Sequence, residues 1–101
     1  MSLPPVACTL SEPDLAQRRH GLLADLLAAA SDRRLVGEGA QLTFAKPEEV
    51  LPLLLEALVA ERRCCPFLTF RLTFAPEGGP LKVEISGPAG TGEFLQNVLG
   101  F

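Results

Sequence analysis

The run Glu61-Arg62-Arg63-Cys64-Cys65-Pro66-Phe67 carries the side chains best suited to chemistry in this 101-residue chain. Neighbouring Cα atoms are about 3.8 Å apart, below the usual disulfide span of roughly 4.4 to 6.8 Å. A Cys64–Cys65 bridge would therefore be strained and easily reduced. Two reduced thiols can instead face one soft ion, because thiolate sulfur prefers Hg(II), Cu(I), Zn(II) or As(III) species to hard cations. Cys8, the one remaining cysteine, would make a three-sulfur site if the fold brought it near.

Three readings of the pair stay open: soft-metal or metalloid binding, thiol redox chemistry, and cysteines that fill the core as small hydrophobes. Electrostatics does not decide among them. The negative end of a helix disfavours a thiolate by about 0.3 to 1 kcal/mol, whereas Arg62 and Arg63 favour it. A zinc site with paired CxxC or CxxC and HxxxH spacing is absent from the sequence. His20, the only histidine, projects off the apolar face of its helix, which makes a Cys–His catalytic pair a weak candidate.

The elements that must position this run follow from periodicity. Val6-Ala7-Cys8-Thr9-Leu10 alternates as a short strand with Val6, Cys8 and Leu10 on one face. Ser11, Pro13 and Asp14 then supply an N-cap, a first-turn proline and a capping-box acid, opening a helix to about residue 31. Gly37 and Gly39 loosen the next segment, and residues 41–45 form a second strand with Leu42 and Phe44 inward. Pro47-Glu48-Glu49 opens a second helix, Pro52 is tolerated early in it, and Pro66 stops it at about residue 64. Cys65 is pushed off helical geometry by the proline after it.

From Leu68 the period switches to two, with Phe70, Leu72 and Phe74 on one face and Thr69, Arg71 and Thr73 on the other. A turn at residues 76–80 joins this strand to Leu81, Val83 and Ile85, and residues 93–99 form a last helix. The passage from Ser86 to Gly92 is glycine-rich and could present helix amides to an anion. It matches neither the dinucleotide fingerprint nor the phosphate-loop lysine pattern and reads as a plain loop. The whole predicts one α+β domain over residues 1–101. Its order is β-α-β-α-β-β-α, a two-layer sandwich with the sheet covered on one face by helices.

Projection of the first helix places Leu15, Leu22, Leu23, Leu26, Leu27 and Ala30 on one face, with Arg19 near its middle and Arg18 to one side. The second helix turns Val50, Leu51, Leu54, Ala57 and Leu58 inward, and Glu61 falls near the centre of that face. Two opposite charges thus point toward one core. Burying either alone would cost several kcal/mol, so an ion pair between Glu61 and Arg19 or Arg18 is expected. The alternative is that each lies near a helix end and snorkels to water.

The net charge of −3, with 48% hydrophobic and 21% charged residues, describes a folded domain without the basic field that draws proteins onto nucleic acid. Met1-Ser2-Leu3-Pro4-Pro5 reads as neither a signal peptide nor an anchor, and residues 50–60 are too short to span a bilayer. An odd number of cysteines, two of them adjacent, points to a reducing, cytoplasmic setting rather than a disulfide framework. A homodimer or a regulatory protein is the candidate partner; nucleic acid and membrane are not.

The stretch from Leu58 to Phe70, the later Ile85-Ser86-Gly87-Pro88-Ala89-Gly90, and Cys8-Thr9-Leu10 followed by Arg18 together resemble a group of small, uncharacterised bacterial proteins. These share a Glu-Arg-x-Cys-Cys-Pro-Phe signature and are sometimes associated with MerR-type metal-responsive regulators. The resemblance covers nearly the whole chain and marks Cys8, Arg18, Glu61, Cys64, Cys65 and the Gly87-Pro88 turn. It implies Arg18, where the helical projection favours Arg19. The resulting expectation is a small accessory protein of metal response, holding a Zn, Hg, Cu or As species through Cys64, Cys65 and Cys8. Glu61 and Arg18 or Arg19 would support the site. A thiol-redox enzyme and a structural or interaction module with buried, inert cysteines are the alternatives.

Overall fold

The computed structural model describes residues 21–22 and 24–99, apart from the side chains of Cys64, Val98 and Leu99. The strand expected at residues 6–10, the helix start at residues 11–14, and Cys8, Leu15, Arg18, Arg19, His20 and Leu23 lie outside the described residues. Helix α1 is described at residues 21–22 and 24–29. After it come β1 (Asp32–Val36), β2 (Gly39–Phe44), α2 (Pro47–Cys64), β3 (Thr69–Phe74), β4 (Leu81–Ser86) and α3 (Thr91–Leu99). From α1 onward the expected succession of helix, strand, helix, hairpin and helix is present, with β1 as one further strand ahead of β2.

Strand β1 has a local cause that alternation does not reveal. Asp32-Arg33-Arg34 lacks a buried face, but Gly37, at a φ of 57°, opens a two-residue turn of the kind that folds a strand back on its neighbour. Val36 then pairs with Gly39 and Asp32 with Thr43. Among the described residues all pairings are antiparallel, and the strand order is β1-β2-β4-β3.

Period-two patterning puts Ala40, Leu42 and Phe44 of β2 opposite Ile85, Val83 and Leu81 of β4, and all six are buried. Leu26 of α1, Val50, Leu54 and Ala57 of α2, and Leu95 of α3 pack on this row as one core. The other face of the central strands is polar, with Gln41 and Thr43 of β2 alongside Glu84 and Lys82 of β4. The fold is therefore the expected α+β sandwich of a helical layer on one sheet face.

Helix α2 carries the site. Pro47 stands in its first turn with Glu48 and Glu49, and Arg62 and Arg63 stand in its last, so charges at both ends complement the helix dipole. Spacings of four, three and four place Val50, Leu54, Ala57 and Glu61 on the buried face.

Candidate thiol site at the end of the second helix

Pro66 has no N–H to continue α2, and Cys65 leaves helical geometry at φ −126° and ψ 72°. Its N–H still donates to the Glu61 carbonyl oxygen at 2.7 Å, and the Leu68 N–H returns to the Cys65 carbonyl at 3.1 Å. Residues 65–68 thus make a tight turn with proline at its second position, where the fixed φ of proline suits such turns. The turn tucks Cys65 inward, and the residue is wholly buried, 0% exposed, with its sulfur in no disulfide.

A small cluster separate from the main core encloses this thiol. Cys65 and Phe67 are buried together against Leu68 and Phe94. The Phe67 and Phe94 rings meet edge to face, with centroids 5.0 Å apart and planes at 85°, a favoured aromatic geometry. Phe94 comes from α3, so the position of that helix decides how Cys65 is covered.

One turn before Cys65, Glu61 is 3% exposed. Its burial agrees with the expectation that a charge lies on the inner face of α2. It borders a hollow of about 20 Å³, enough for about one water molecule. Leu26, Leu54, Leu58, Leu68, Phe70 and Val83 line this hollow, and Glu61 is the one charged side chain among its described lining residues. Glu61 and Cys65 each have an interaction partner, and among the described residues no buried side-chain nitrogen or oxygen lacks a hydrogen bond. The expected cations, Arg18 and Arg19, lie outside the described residues, as does Cys8. Of the expected site residues, the structure thus brings the supporting Glu61 and the candidate ligand Cys65 to one end of one helix. The Cys64 backbone is the last residue of α2. Among the described residues no group of three Cys, His, Asp or Glu side chains is placed to hold a metal ion.

The glycine-rich passage does hold an anion, and that anion belongs to the chain itself. The Glu38 carboxylate, in the β1–β2 turn, accepts from the Gly90 N–H at 2.8 Å and the Gly92 N–H at 3.2 Å. It thereby caps the first turn of α3 from a turn at the same end of the sheet, since Ala40 pairs with Ile85. This explains why α3 begins at Thr91 rather than at residue 93: its cap comes from 52 residues away, and no local signal announces it. Gly90 has φ 97°, a conformation that favours glycine. A Cβ at Gly87 would overlap Thr91, which is buried and donates its hydroxyl to the Pro88 carbonyl at 2.7 Å. The Gly87-Pro88 turn is thus a packing device for α3, and through Phe94 it bears on Cys65.

No described helix is long and apolar enough to cross a membrane. Comparison of the chain with family models, with curated proteins and with solved structures found no match.

Proposed function

We propose that this chain binds a thiophilic ion, a Zn(II), Cu(I), Hg(II) or As(III) species, at the end of α2 through Cys64 and Cys65, with Cys8 as a third sulfur. Glu61, with Arg18 or Arg19, would hold the geometry, and the protein would serve metal response as a small cytoplasmic accessory. One observation carries the reading: a buried thiol stands one helical turn after a buried carboxylate, at a helix end stopped by proline. An apolar surround suits a soft ion, which gives up its hydration for sulfur ligands more readily than a hard cation does.

Native mass spectrometry tests this with one equivalent of Hg(II), arsenite or Zn(II), on the wild type and on Cys65→Ser. Uptake of one ion by the wild type and its loss in the variant is the expected result. Equal uptake by both proteins would sink the proposal.

A second reading has its own support. Complete burial of Cys65 beside the Phe67 ring is also how a cysteine packs as a small hydrophobe. Under that reading Cys65→Ser lowers stability, and neither protein retains an ion after desalting.

A further inference from the structure

Strands β2 and β3 run parallel to each other, since each pairs antiparallel with β4, which lies between them. The chain passes from β2 to β3 through α2, whose buried face packs on the sheet. Crossovers of this strand–helix–strand kind are right-handed in about 98% of cases. That hand orients the sheet: seen from the helical side with β2 pointing up, β3 lies to its right and β1 to its left. Strand β1 points down in this view, because it is antiparallel to β2.

A second crossover precedes β1. The strand expected at residues 6–10 leads into α1, and Leu26 packs the described part of α1 on the same sheet face as α2. A helix carries the chain back along the sheet, so a strand before α1 runs in the direction of β1. It is then antiparallel to β3. Among the described residues, nothing pairs with the outer side of β1 or of β3. A strand outside β1 would make the crossover through α1 left-handed, opposite in hand to the one through α2. A strand outside β3 makes both right-handed. Length agrees with this choice. Four strand spacings separate the two ends of such a crossover, about 19 Å, and the return along a five-residue strand is about 17 Å. The diagonal is about 26 Å, and a helix over residues 11–29 is about 28 Å long.

We propose that residues 6–10 of this chain pair antiparallel with the outer side of β3 as a fifth strand of the sheet. Surface chemistry points the same way. Directly opposite residues in an antiparallel pair share a face, so Val6, Cys8 and Leu10 extend the apolar row of Phe70, Leu72 and Phe74, the last of which is 52% exposed. The outer side of β1 offers Arg33 and Arg34 instead, both exposed. Pairing puts Cys8 on the helix-covered face with Phe70, which lines the hollow beside Glu61. It also turns Leu10 toward the Thr69 end of β3, where the turn from Cys65 enters the strand. The pairing follows from topology and stands apart from the ion-binding reading, although it brings Cys8 to the side of the sheet that the reading requires.

Nuclear magnetic resonance of the isotope-labelled full chain, without added metal, tests the pairing. Backbone Hα–Hα and amide–amide Overhauser contacts are expected between residues 6–10 and 69–74, with residue 10 nearest Thr69. Every second amide of β3 points away from β4, and these amides are expected to exchange at least tenfold more slowly than an unpaired strand would allow. Contacts from residues 6–10 to β1, or none to β3, overturn the proposal. So does rapid exchange at the outward amides. A chain that shows the pairing and takes up no ion keeps the fifth strand and loses the proposed function, so the two failures are separable.

Discussion

Glu61 stands on the buried face of α2, one helical turn before Cys65. Its place on the helical wheel, seven residues after Leu54, is enough to put it inward, and the structure buries it to 3% exposure. Burial of a carboxylate is sustained only by partners, and Glu61 has one. Leucine at this position would bury more apolar surface and still leave that partner unsatisfied. We therefore expect Glu61→Leu to destabilise by about 1 to 3 kcal/mol and Glu61→Gln by less, read from urea unfolding midpoints. A raised midpoint in Glu61→Leu would show that the carboxylate is not tied to its surroundings. Cys65 is legible in a different way. Pro66 announces that the chain turns there, but nothing local announces that the turn carries the thiol under Phe67 and Phe94.

Among the elements, α3 links distant parts of the chain. Its first amides depend on Glu38, and its Phe94 covers Phe67 and Cys65. A change in the β1–β2 turn should therefore be felt at the thiol. Loss of a capping side chain costs about 0.5 to 2 kcal/mol, so Glu38→Ala is expected to fray the start of α3. Amide hydrogen exchange should accelerate at Gly90 and Gly92 while the β2 and β4 amides keep their protection. Unchanged exchange at the two glycines would mean that the carboxylate contacts hold α3 weakly. Helix α2 needs no such distant support, because its acids, basic residues and terminal proline all lie within its own sequence.

For the molecule as a whole, the buried residues of α1, β2, α2, β4 and α3 form one core, with the thiol cluster attached through Leu68 and Phe94. Leu54 is at the centre of α2's buried face and is fully buried. We expect Leu54→Ala to destabilise by about 2 to 5 kcal/mol, with the loss of helical circular dichroism and the exposure of Cys65 to alkylation shifting to the same urea concentration. Such coincidence is the mark of cooperative unfolding. Earlier labelling of Cys65 would make the thiol cluster a separately opening unit.

Where each strand and helix lies follows largely from local pattern. The alternation in β2, β3 and β4 and the wheel of α2 are properties of residues two, three and four apart, and such spacing survives without knowledge of the fold. The stop at Pro66 and the inward face of Glu61 are likewise covalent or periodic consequences. Strand β1 escaped that reading because its residues are mostly charged and its pairing is imposed by the Gly37 turn. The cap on α3 and the aromatic cover over Cys65 were decided by tertiary structure alone. Each depends on groups far apart in sequence, and only chain packing brings them within hydrogen-bond or van der Waals range.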